Sequence, residues 1–170
     1  MSSIFRYFVL FALIVFLTPS IFAKGATVKI EISSAQLSKP ISVTDPDIVG
    51  EFNIWSGPNS RWRSKNGSWI TDYSFIFIDF PGGVISSPPD NLFTFDVEFH
   101  IAGAPDQPPV EETYKVQYAI NPSENGGYMY LPTGNLFVYH GVEGNWFRSI
   151  ESWEKLVRPI VEQTLLEQQN

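Results

Sequence analysis

The sequence predicts an α+β fold: a mainly antiparallel sheet of about six strands packed against a long C-terminal helix, with a short helix near residues 46–52. Three observations carry this. Leu92 to Ile101 alternates without a fault, Phe93, Phe95, Val97, Phe99 and Ile101 on one side, Thr94, Asp96, Glu98 and His100 on the other. That period of two belongs to a half-buried strand. Ser149 to Gln168 instead spaces Ile150, Trp153, Leu156, Val157, Ile160, Val161 and Leu165 as one face of a helix. Between these segments Gly, Pro and Asn recur at intervals that suit short strands joined by turns.

From the N-terminal side, Thr27 to Ile32 alternates, with Val28, Ile30 and Ile32 expected inward and Lys29 and Glu31 outward. Pro40 to Val43 reads as a second short strand. Thr44-Asp45-Pro46-Asp47 has the chemistry of a helix start: a capping side chain, proline in the first turn, and acids at the positive end of the dipole. Residues 53–72 show no sustained period and read as a long loop, with Asn66-Gly67 suited to a hairpin turn. Tyr73 to Phe80 is apolar on both faces, as a central strand would be. Gly103 to Pro109 is a proline-rich loop. Tyr114 to Ile120 alternates again, Tyr128 to Leu131 follows a glycine turn, and Leu136 to Tyr139 suits a further short strand. Pro159 predicts a kink or break of the last helix near Arg158.

The first segment has the parts of an export signal. Arg6 is the positive n-region, Tyr7 to Leu17 an unbroken apolar run, Pro19 a break, and Ala23 and Gly25 small residues for a peptidase. Tyr7 to Ala23 spans 17 residues, against the roughly 20 of a membrane-crossing helix. Residues 1–23 are therefore read as a signal peptide and 24–170 as one globular domain. Retention of the segment as an N-terminal anchor is the alternative. Loss of Arg6 leaves 10 Lys and Arg against 18 Asp and Glu, a net charge of −8. Phosphate backbones need clustered cations, so a nucleic-acid partner is not expected, nor membrane contact unless the N-terminal segment stays. The chain has no cysteine, which excludes disulfides and thiol chemistry and points to a bacterial envelope rather than a disulfide-rich secreted domain.

Three constellations are candidate sites. The loop from Trp55 to Trp69 holds three of the five tryptophans and three of the ten remaining cations. Arg61, Trp62, Arg63 and Lys65 combine ring faces with positive charge, which suits a glycan or an anionic envelope polymer. Trp55 and Trp69, at its edges, are expected to be structural. The turn from His140 to Arg148 offers His140 and Glu143 as base and acid, with Asn145 and Arg148 to hold a ligand. Its plainer reading has Asn145 or Ser149 capping the final helix while Trp146 and Phe147 enter the core. The stripe Asp96, Glu98, His100 has spacing usable for acid–base or metal work. With two histidines in the whole chain, a solvated face paired to Lys115 or Lys29 explains it better. No metal or cofactor is expected, and no nucleophile elbow, phosphate loop or dinucleotide fingerprint occurs.

Ile41-Ser42-Val43-Thr44-Asp45-Pro46, Phe52-Asn53-Ile54-Trp55 and Gly141-Val142-Glu143-Gly144-Asn145-Trp146-Phe147-Arg148, with Trp153, resemble a group of uncharacterised exported bacterial proteins. The resemblance implies bacterial origin and export, and no activity. The expected function is a non-enzymatic, secreted or cell-envelope ligand-binding module. A hydrolase of an extracellular polymer and a structural domain without a small ligand are the alternatives. Cleavage between Ala23 and Ala26 is expected in the native host. Intact mass of the exported protein checks this, and a species retaining Tyr7 to Leu17 would establish the anchor instead.

Overall fold

A computed structural model describes residues 25–58, 60–103, 112–134, 139 and 141–168. The expected export segment, most of the Gly103 to Pro109 loop, Leu136 to Val138 of the expected short strand, and His140 lie outside the described residues.

The alternating segments do become strands. β1 (Ala26–Ser33), β2 (Ile41–Val43), β5 (Phe93–Ala102), β6 (Glu112–Ile120), β7 (Gly127–Tyr130) and β8 (Trp146–Arg148) form one antiparallel sheet in the order β2-β1-β5-β6-β7-β8. β3 (Arg61–Arg63) and β4 (Trp69–Thr71) pair separately as a hairpin. Asp45 caps helix α1 (Pro46–Val49), accepting a hydrogen bond from the Asp47 N–H. The helix is shorter than expected: turns continue to Glu51 and bring Phe52 into the core.

The C-terminal stretch breaks where proline requires. Helix α2 (Glu151–Leu156) ends, and α3 (Arg158–Gln168) begins, across Val157. Both pack their apolar residues on the inner face of the sheet, with Trp153, Val157 and Val161 fully buried. Trp153 lies edge-on to Phe52 and Tyr118 at 5.0 and 5.6 Å, with Phe77 and Phe99 each at 6.0 Å.

One residue along, Glu154 accepts hydrogen bonds from Tyr118 Oη (2.9 Å), the Ser149 hydroxyl and Arg158 Nη1 (3.1 Å). Arg158, in turn, donates to Glu162 and to the backbone carbonyls of Asn121 and Glu124, clamping the β6–β7 turn to α3. Gly127 is where this network meets the sheet. A Cβ there would come within 2.5 Å of the Tyr118 ring and 3.0 Å of Glu154 Oε1.

Three expectations are corrected. Tyr73 to Phe80 is not a central strand. Ile76, Phe77, Ile78 and Phe80 are buried, but Phe75 has φ 57° and is exposed, and the run continues as an irregular cover along β8. The Asp79 N–H donates to the Arg148 carbonyl and the Ile85 N–H to that of Trp146. A short apolar run reports burial, and burial does not require a ladder.

Val28 faces solvent, 47% exposed, because the β1–β5 register shifts between Thr27 and Lys29. The bulge turns Thr27 inward, where its hydroxyl donates to the Phe52 carbonyl at 2.7 Å. Finally, neither Asn145 nor Ser149 caps α2. The cap position is Ile150, and the Ser149 hydroxyl accepts the Gly127 N–H while donating to Glu154.

The alternation of β5 is intact, with Phe95, Val97, Phe99 and Ile101 buried and Glu98 ion-paired to Lys115 across the sheet. Phe95→Ala should cost about 3–5 kcal/mol of stability by opening a core cavity. Glu98→Ala, which breaks a solvent-facing pair, should cost no more than about 1 kcal/mol. Urea midpoints of the two variants check the register: equal losses would refute it.

Candidate functional site

Loop 53–60 leads into the hairpin, which pairs with no strand of the main sheet. The Gly57 N–H donates to the Asp72 carbonyl and the Asp72 N–H to that of Ser60, closing the hairpin's base. Gly57 has φ 132° and lies against Tyr139 and Phe80, where a Cβ would meet ring carbons at 2.9 and 3.0 Å. At the tip, the Ser64 N–H donates to the Ser68 carbonyl, the Gly67 N–H to that of Ser64, and the Ser68 N–H to Asn66 Oδ1. The sequence expectation of a turn at Asn66-Gly67 is met, with Gly67 at φ 86°.

The register pairs Arg61 with Thr71, Trp62 with Ile70 and Arg63 with Trp69. Arg61 and Lys65 are exposed. The two flanking tryptophans part company. Trp55 is half-buried and its indole N–H donates to the Gly25 carbonyl at 2.8 Å, so it is structural as expected. Trp69 is not: two-thirds of its surface (67%) is open. Ile70, Tyr73 and Phe75 are exposed beside it in sequence. These four make up most of the large exposed apolar side chains among the described residues. The hairpin strands are three residues each and pair with no strand of the main sheet.

The second constellation is described only in part, because His140 lies outside the described residues. Glu143 Oε2 accepts the Gly141 N–H at 2.9 Å, and Asn145 Nδ2 donates to the carbonyls of Val142 and Glu143. Both side chains hold their own turn. The Gly144 N–H and the Asn145 carbonyl bond to Leu131, while Arg148 stands at the other end of β8, its guanidinium 4.3 Å from the centre of the Tyr128 ring.

Trp146 and Phe147 were expected in the core together. As neighbours in a strand they take opposite faces: Phe147 is buried, and Trp146 is half-buried on the outer face, 5.2 Å from the ring of Tyr130. The stripe Asp96, Glu98, His100 lies on the outer face as read, with Lys115 on Glu98 and Lys29 on Glu31. Among the described residues no group of three or more His, Asp or Glu is placed to hold a metal ion.

The exposed or outer-face candidates that sequence reasoning missed are Trp69, Ile70, Tyr73, Phe75, Tyr130 and Trp146, all aromatic or aliphatic. For Tyr130 and Trp146 the signal was present. Each stands next to a residue, Met129 or Phe147, that a period-two strand sends to the core.

An α+β protein with helices on one face of its sheet and a separate hairpin rich in aromatic and cationic residues is the class that this geometry defines. Comparison with protein-family models, with curated proteins and with solved structures finds no match.

Behind the Glu143 turn, Tyr114 and Tyr139 pack edge to face at 5.5 Å, and neither hydroxyl finds a hydrogen-bond partner among the described residues. Burial holds both phenols well above their usual range, with the Glu143 charge adding to Tyr114; burial and then Glu154 do the same for Tyr118. These groups favour the neutral phenol in the fold, while the unfolded chain ionises at about pH 10. Above that pH the unfolded state binds fewer protons, so stability falls as pH rises, by up to about 1.4 kcal/mol per pH unit for each such phenol, and Tyr128, also raised by burial, adds to the fall. The urea midpoint should hold to about pH 9 and drop steeply beyond about pH 10. Tyr114→Phe with Tyr139→Phe should lower that slope by up to about 3 kcal/mol per pH unit. A double variant with the wild-type slope would refute the assignment.

Proposed function

We propose that this chain is an exported bacterial module, secreted, periplasmic or held at the cell surface, that binds an anionic envelope polymer without catalysing a reaction. The observation that carries the reading is the concentration of exposed Trp69, Ile70, Tyr73 and Phe75 on and just after a hairpin whose other strand is Arg61-Trp62-Arg63, with Lys65 at the turn. Exposed apolar side chains gathered in one stretch mark interaction surfaces, because burying them on a partner recovers hydrophobic free energy. The cations stand out on a chain whose formal net charge is −7, so they direct an anionic chain to this one place. A hydrolase would need carboxylates converging on a substrate. Glu143 is bound to Gly141, and Glu98 to Lys115, which leaves the binding reading better supported.

Two forces should separate experimentally. In co-sedimentation with purified teichoic-type polymer, Arg61→Ala with Arg63→Ala should weaken binding at low salt and converge on wild type in molar salt. The screening length shrinks from about 30 Å at 0.01 M to about 3 Å at 1 M. Trp69→Ala and Trp62→Ala should each weaken it at both, by about 1–3 kcal/mol if the rings stack on the polymer. Wild-type protein that is not retained at low ionic strength would sink the proposal.

A further inference from the structure

The sheet is covered by helices on one side, and its other side carries a row of side chains that the hairpin does not use. Register places Ser33, Asp96, Gln117, Tyr130 and Trp146 as successive partners across β1, β5, β6, β7 and β8. Their strand neighbours Ile32, Val97, Val116, Met129 and Phe147 are buried, so the row belongs to the outer face. From Asp96 to Trp146 the row crosses three strand spacings, roughly 14 Å, the span of a short oligosaccharide rather than of one ring. Over its polar half lies a depression of about 440 Å³, lined by Ser33, Asp96, Glu98, Lys115 and Gln117 and walled by Pro132, Thr133 and Gly134. That volume falls within the roughly 300–1,000 Å³ of small-ligand sites. The aromatic half, Tyr130 with Trp146, continues it, since Tyr130 is the cross-strand partner of Gln117.

We infer that this face is a second binding site, for a neutral saccharide chain. The chemistry selects the occupant. Gln117 Nε2 donates to Asp96 Oδ1 at 3.3 Å. An amide beside a carboxylate has more hydrogen-bonding atoms than that one bond uses, and they match the paired hydroxyls of a pyranose ring. Tyr130 and Trp146, both half-buried, offer ring faces whose negative quadrupole attracts the weakly positive C–H side of a sugar. Charge argues against an anion: the cation of the floor, Lys115, is ion-paired to Glu98, and Asp96 adds a further negative charge. An anionic polymer is thus directed to the hairpin and an uncharged one to the sheet, so the two sites answer to different ligands.

The test uses the purified protein with three neutral probes: cellohexaose, chitohexaose and maltohexaose. Titration followed by ¹H–¹⁵N NMR should shift the Trp146 indole N–H and the backbone of Gln117 and Tyr130 with at least one probe. Trp146→Ala should weaken that binding at least tenfold, and Gln117→Ala several-fold. Trp146 is half-buried, so the Gln117 variant, on the outer face beside Asp96, carries the test if the tryptophan variant loses its fold. Arg61→Ala with Arg63→Ala should bind the saccharide as wild type does, which separates this site from the hairpin. Wild-type protein unshifted by all three probes at millimolar concentration overturns the inference. So does binding left unchanged by Gln117→Ala, or binding abolished by the arginine pair.

Discussion

Trp153 has to be buried, and the layers of the molecule meet where that is achieved. Its indole is enclosed by Phe52 from the turn after α1, Phe77 from the irregular cover, and Phe99 and Tyr118 from the two central strands. Four separate stretches of chain are therefore fixed by one side chain, which a helix of six residues could not hold by backbone bonds alone. The next residue, Glu154, makes the arrangement directional. Hydrophobic burial tolerates rotation of α2 about its axis, but a carboxylate that must meet Tyr118, Ser149 and Arg158 together does not. Burying this acid is costly, and it is offset here because its charge is matched by a guanidinium that is itself hydrogen-bonded to two carbonyls.

With the helices fixed on one side, the opposite side needs no cover of its own. An antiparallel sheet needs cover on one face only, and alternation then assigns every second residue to solvent. The outward Tyr130 and Trp146 follow from the same period that sends Met129 and Phe147 inward. The hairpin obeys a different logic. Hydrogen bonds among Gly57, Ser60 and Asp72 close its base, it pairs with no strand of the main sheet, and its sequence carries charge and rings together.

Much of the fold was legible because its signals are local. The period of β5, the cap and proline of α1, the Asn66-Gly67 turn and the break before Pro159 each act within a few residues. What stayed hidden was long-range. Tyr73 to Phe80 is as apolar as a central strand, and nothing within it says that Phe75 will bend the backbone and that β8 will be reached from the side. Val28 fits its strand pattern until the bulge, a property of how β1 meets β5, turns it out. The candidate sites divide in the same way. The cations and tryptophan of the hairpin were visible by composition. Trp69 was read as structural, because large apolar residues are taken for core until their neighbours in space are known.

The two margins of the sheet have a consequence for life in a crowded compartment. One margin is β2, three residues long; at the other, the 78–85 stretch occupies the Trp146 and Arg148 carbonyls of β8. A neighbouring copy that approaches either margin meets little open ladder on which to add a strand. The main sheet is thereby protected from strand addition at high local concentration, even though Trp69 and Ile70 of the hairpin are exposed. At these two margins, association is left to contacts between side chains rather than to the nearly irreversible zipping of backbones.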